Sequence, residues 1–250
     1  MAIDTKRTAA SLSHTDVCAC TITLARDENE GHRILRTLER LSEARLRVIV
    51  ADGGSPPAFV DAIRRMPRVS VATPRQPSLV SQVQSALAAA AALGTRFVLY
   101  VESDKERFAG RDIADFIRRA PGGADVGAVL AARSAESFET FPAAQRAAET
   151  RINEMTGDAV GRRGDYSYGP FLLNSRLAGY VERAPASLGW GWRHFMFAVA
   201  HRLGYGVTHV IGDYDCPADQ RHEDEEERRH RIRQLEQNLE GLRLGATVGL

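Results

Sequence analysis

Residues 100–106 read Tyr-Val-Glu-Ser-Asp-Lys-Glu and close an apolar run, Phe97 to Val101, with two carboxylates one residue apart. In an extended chain alternate side chains share a face, so Glu102 and Asp104 would enter one small volume while Ser103 points away. Like charges that close repel unless something positive lies between them. A hard divalent cation, Mg2+ or Mn2+, held by one or two carboxylates and completed by phosphate oxygens and water, would relieve the repulsion. A second acidic stretch, Asp52-Gly53-Gly54-Ser55, directly follows Val48 to Ala51. Each stretch alone is equally a strand-end turn.

The elements that would position these acids are β-rich runs alternating with helical patterns, the signature of a parallel sheet with crossover helices. Strands are predicted at Val17 to Leu24, Val48 to Ala51, Val69 to Ala72, Phe97 to Glu102 and Val126 to Ala131. Ile34, Leu35, Leu38 and Leu41 recur at helical spacing, and the Ala-rich stretch from Ser78 to Leu93 reads as a helix stopped by Gly94. In open α/β sheets ligands bind beyond the carboxyl ends of the strands. Acids at two such ends of one sheet are more specific than either turn alone.

Past residue 133 the alternation weakens. A helix is predicted from Pro142 to about Thr156, followed by two stretches that mix glycines with aromatics, Asp165 to Leu173 and Ser187 to Phe195. Flat rings suit the apolar face of a sugar or an aromatic acceptor, and glycines allow close backbone approach. Phe171, Phe195 and Phe197 read as core, whereas Trp190, between Gly189 and Gly191, reads as a site residue. Near the end, acids at 224, 225 and 227 precede arginines at 228, 229 and 231 by four residues, a helix-stabilising pattern. Ile232, Leu235, Leu239 and Leu242 form its apolar stripe, and its charges are read as a solvated face without a binding role.

The formal net charge of +1 over 250 residues gives no long-range field for nucleic acid or an anionic membrane, so an anionic ligand needs a local site. Three cysteines, Cys18, Cys20 and Cys216, fit a reduced cytoplasmic chain. No apolar run is long enough to span a bilayer, and residues 1–15 read as a loose, disordered polar leader. Neither a Gly-x-Gly-x-x-Gly after a strand nor a P-loop is present, which disfavours dinucleotide-binding oxidoreductases and P-loop enzymes.

In order and spacing, the stretches Cys20 to Leu41, Arg47 to Pro57 and Phe97 to Glu106 resemble the nucleotide-binding half of the GT-A glycosyltransferases. The likeness covers roughly residues 17–110 by motif order, with weaker cues to about residue 225. It implies a Rossmann-like three-layer αβα sandwich on a mixed, mainly parallel sheet. It also implies a nucleotide-diphosphate sugar donor, a divalent metal and an unidentified acceptor. The halves it suggests are 16–133 for the donor and 134–221 for the acceptor, with 222–250 as a C-terminal helix and tail.

By the same resemblance, Arg26, Asn29, Glu30, Asp52, Glu102 and Ser103 would bind the donor, with Asp104 and His222 on the metal and His209 as runner-up to His222. Glu stands at 102 where the family pattern has Asp, which adds a methylene. Tyr168, Gly169, Trp190 and Trp192 fall on the acceptor side, and Arg26, Lys105 and Arg162 or Arg163 are candidate cations for the diphosphate.

Inverting members place an acidic base after a comparable glycine- and tryptophan-rich turn, where this chain has Arg193 and His194. Either His194 is the base, or no side-chain base acts there as in retaining members, or the alignment is offset by a few residues. The missing acid points towards the retaining class, with Asp213 and Asp215 as other bases. A catalytically silent nucleotide- or glycan-binding protein and a sugar-nucleotide nucleotidyltransferase stand as alternatives. A homo-oligomer is left open.

Overall fold

The computed structural model describes residues 12–249. Of the polar leader, residues 1–11 lie outside the described residues; Leu12 is 5% exposed and His14–Asp16 form a short helical turn.

β1 (Val17–Thr23), α1 (Glu28–Glu43), β2 (Val48–Asp52), α2 (Pro57–Arg65), β3 (Val69–Ala72), α3 (Leu79–Ala91) and β4 (Phe97–Tyr100) form the predicted alternating series. α4 (Ile113–Arg119), β5 (Val126–Arg133), α5 (Ala135–Glu139), α6 (Ala143–Val160), β6 (Phe171–Asn174), α7 (Trp192–Arg202), β7 (Gly206–Gly212) and α8 (Glu225–Thr247) complete it. The seven strands make one sheet in the order β3-β2-β1-β4-β6-β5-β7. Only β6 runs antiparallel to its neighbours.

That reversal positions the site. Tyr100 ends β4 opposite Phe171, which begins β6. An antiparallel strand brings its entry to the edge where parallel strands deliver their carboxyl ends, so residues 165–170 arrive beside the turn after β4.

Helices cover both faces. Ile34, Leu38 and Leu41 of α1 pack with Ile113, Phe116 and Ile117 of α4 over one. Val80, Val83 and Leu87 of α3 join Trp192, Phe195 and Phe197 over the other. Full burial of each aliphatic side chain contributes about 1.5–3 kcal/mol before conformational entropy is counted.

α8 docks backbone to backbone on the start of α7. A Cβ on Gly191 would collide with the Gln237 carbonyl, and one on Gly241 with the Gly191 carbonyl. The glycines around Trp190 therefore admit α8 rather than a ligand. The apolar stripe of α8 also begins later than its spacing suggested: Ile232 is 58% exposed, while Leu242 packs with Ile152 and Ala198.

Candidate functional site

Four segments meet where β4 ends. The turn after β4 supplies Glu102 to Lys105, the approach to β6 supplies Ser167 and Tyr168, α7 supplies Arg193, and α8 lies across them. With the ends of β1 and β2 and the start of α3 they enclose a cavity of about 790 Å³, a size typical of small-molecule sites.

The positive charge between the two acids comes from the chain itself. Lys105 Nζ lies 3.7 Å from Glu102 Oε2 and 3.6 Å from Asp104 Oδ2. Arg193 Nη1 donates to Glu102 Oε1 at 2.7 Å. Burial pushes the Glu102 carboxyl above its ordinary range, against the pull of Arg193 and Lys105. Burial also opposes the Lys105 charge, but Asp104 and Glu102 outweigh it and hold the ammonium above its ordinary range. Gly169, at φ +126°, permits this packing, because a Cβ there would collide with the Glu102 carboxylate.

Of the residues assigned to the donor, Arg26, Glu30, Glu102 and Ser103 line the cavity. Glu30 Oε2 accepts from the Arg26 backbone N–H at 2.8 Å. Asn29 sits exposed in the first turn of α1 and does not line it. Asp52 does not line it either, because its carboxylate is spent on the turn. Oδ1 accepts from the N–H groups of Gly54 and Ser55 at 2.9 and 2.8 Å, and Oδ2 from the hydroxyls of Thr23 and Ser55 at 2.8 and 2.6 Å. Four bonds use the four lone-pair positions of a carboxylate.

On the other side, Tyr168 lines the cavity and stacks on Tyr214 with ring centroids 4.7 Å apart. Trp190 lines it with the Arg193 guanidinium 5.6 Å from its ring centre. Trp192 does not: it is fully buried, 4.8 Å from the ring of Tyr100 and 5.6 Å from that of Phe171. Trp190 precedes α7 and Trp192 begins it, and the two rings enter different surroundings.

His194 also leaves the site. It is fully buried, its Nδ1 lies 2.9 Å from Thr156 Oγ1, and burial together with Arg193 pushes its pKa well below the ordinary range. Asp215 accepts from Ser137 Oγ at 2.7 Å, and neither it nor Asp213 lines the cavity. His209 packs 4.7 Å from the Tyr166 ring inside β7, and Arg162 and Arg163 lie outside the cavity.

Asp104, with 55% of its side chain exposed, and His222 line the same cavity. No group of three or more His, Cys, Asp or Glu side chains is arranged to hold a metal ion among the described residues.

Several lining residues escaped the sequence reading. Tyr100, Gln82 and Arg133 sit at strand ends or a helix start, while Glu227, Arg231, Gln234 and Asn238 form a stripe of α8. Arg133 donates through Nε to Asp165 at 2.7 Å and through Nη2 to Glu149 at 2.7 Å. Burial opposes ionisation of Asp165, yet the charge and hydrogen bonds of Arg133 hold its carboxyl below the usual range. The α8 stripe repeats at helical spacing, which from sequence alone is indistinguishable from a solvated face.

The mixed seven-stranded sheet with β6 reversed is a GT-A-type fold. No family model matches the chain, and no curated protein matches it. Among solved structures it is similar to glucosyl-3-phosphoglycerate synthase from Mycobacterium tuberculosis in complex with Mn2+, UDP and phosphoglyceric acid. That match has 14% identity and a TM-score of 0.57, covering 93% of this chain and 80% of the other. Mannosyl-3-phosphoglycerate synthase from Rubrobacter xylanophilus is similar at 12% identity and a TM-score of 0.58, covering 94% and 76%. Among the described residues no helix is long and apolar enough to cross a membrane.

Proposed function

We propose that the chain transfers a sugar from a nucleotide-diphosphate donor to an acceptor held beside it. The observation that carries this is one cavity, in a GT-A fold, in which Glu102, Ser103, Asp104 and Lys105 meet Arg193 and Arg231 at the end of β4. The similar glucosyltransferase was solved with Mn2+ and UDP, which supports a nucleotide donor and a divalent cation here. Asp104 and His222 are the residues that would hold such an ion. Two protein ligands suit a cation that arrives with its diphosphate rather than a resident one. When bound, it would offset charge developing on the leaving diphosphate. Lys105, Arg193 and Arg231 act on that same charge. Three free, buried cysteines suit a reducing cytoplasmic compartment.

Lining carboxylates are already engaged: Glu30 by Arg26, Glu102 by Arg193 and Lys105, Asp104 by Lys105, Glu149 by Arg133, and Glu227 by Arg231. Asp224 caps α8 through the Glu227 N–H. With His194 buried elsewhere, this supports transfer with retention, which needs no side-chain base on the acceptor hydroxyl. The same observation favours the second reading, a silent nucleotide- or glycan-binding protein.

Calorimetry with UDP and GDP, with and without Mn2+, tests the assignment. The parent should bind one of them more tightly with metal, and Asp104→Ala should remove that gain without lowering the melting point. His222→Ala should weaken metal affinity. Unchanged metal-dependent binding in Asp104→Ala would remove that residue from the site. Donor turnover by the parent separates enzyme from silent binder.

A further inference from the structure

Five polar atoms of residues lining the cavity are buried and find no hydrogen-bond partner among the described residues: the Tyr100 hydroxyl, Arg133 Nη1, Arg193 Nε, Arg231 Nε and Asn238 Oδ1. The least exposed of these residues, Tyr100, Arg193 and Asn238, are 1%, 2% and 4% exposed. Each buried polar atom left unpaired costs about 1–3 kcal/mol. Five around a single cavity therefore call for a common explanation, and a polar ligand supplies one.

The three least exposed of these residues line the same cavity from different elements. The Tyr100 ring packs edge-on against Trp192 at 4.8 Å. Arg193, next in the chain, reaches Glu102 at 2.7 Å. Asn238 follows Gln237, whose Oε1 accepts from the Trp190 backbone N–H at 3.0 Å. They come from β4, α7 and α8, whereas Ile22, Thr23, Gly53 and Ser78 line the cavity from β1, the turn after β2 and the cap of α3. Two donors and an acceptor beside a carboxylate and the ring of Trp190 match a sugar, whose hydroxyls donate and accept and whose ring has an apolar face.

We infer, on the basis of the nucleotide-sugar function proposed above, that Tyr100, Arg193 and Asn238 form the pocket that recognises the hydroxyls of the transferred sugar, with α8 setting donor-sugar specificity. The charged C-terminal helix thereby becomes part of the binding machinery.

The test compares UDP with UDP-glucose, and GDP with GDP-mannose, by calorimetry in Mn2+ for the parent, Tyr100→Phe and Asn238→Ala. Each variant should bind the sugar nucleotide about 5- to 10-fold more weakly, the loss of one hydrogen bond, while the free diphosphate stays within about 2-fold. Tyr100→Phe without ligand should melt no lower than the parent, because the hydroxyl it removes has no partner to lose. A lower melting point would mark a structural hydroxyl and overturn its role. Equal weakening of both ligands, or of neither, would overturn the sugar pocket while leaving nucleotide binding intact. A parent that binds none of the four ligands would overturn both the pocket and the proposed function.

Discussion

Arg193 Nη1 donates to Glu102 Oε1 at 2.7 Å, and the two side chains are 3% and 14% exposed. A cation from the start of α7 thus holds an acid from the turn after β4 in the wall of the cavity. Breaking a buried pair from one side leaves an uncompensated charge and costs more than the pair contributes.

Arg193→Met should therefore lower unfolding free energy in urea by about 3 kcal/mol. Adding Glu102→Gln to that variant should restore much of the loss, because the stranded carboxylate is gone. A single variant as stable as the parent would show that Lys105 alone satisfies Glu102.

Asp52→Ala should act on stability more than on ligand contact. It removes the acceptor of four hydrogen bonds, three within the turn after β2 and one from the Thr23 hydroxyl of β1. A loss of about 2–4 kcal/mol in chemical denaturation is expected, at roughly 1 kcal/mol per bond and partly rehydrated. Parent-like stability with abolished nucleotide binding would instead return Asp52 to the donor site.

Gly191→Ala and Gly241→Ala should each loosen the roof of the cavity, since the new methyl meets backbone that cannot rotate away. Overpacking of this kind costs about 1–3 kcal/mol. Thermal melting should fall, and limited proteolysis should cut within α8 sooner than in the parent. Unaltered proteolysis would mean that α8 does not rely on this contact.

Two histidines should make the fold acid-sensitive. Burial pushes His209 down to about 4, against the pull of Asp165, and burial with Arg193 pushes His194 well below its ordinary range. Between about pH 6.5 and 4 the unfolded chain binds protons that the folded chain refuses, so stability falls as pH falls through that window. Urea midpoints measured from pH 7 to 4 should show the decline, and His209→Gln should flatten it. A parent with a level profile over that range would contradict neutral burial of both rings.

Alternation of apolar runs and helical periods was enough to determine the layered α/β class and five of the seven strands, because periods of 2.0 and 3.6 are local properties of the chain. Motif order pointed to Arg26, Glu30, Glu102, Ser103 and Asp104, and the glycine- and aromatic-rich stretches to Tyr168 and Trp190; with His222, all of them line one cavity. What local patterns could not carry was which partner each polar group meets. Asp52 turned inward to its own turn, His194 and Trp192 packed into the core, Lys105 came between Glu102 and Asp104, and Arg193 reached Glu102 from α7. The α8 stripe became a cavity wall only because Gly191 and Gly241 let two backbones touch. A pairing such as Arg193 with Glu102, 91 positions apart, depends on the packed arrangement of all the layers, and only the tertiary structure decides it.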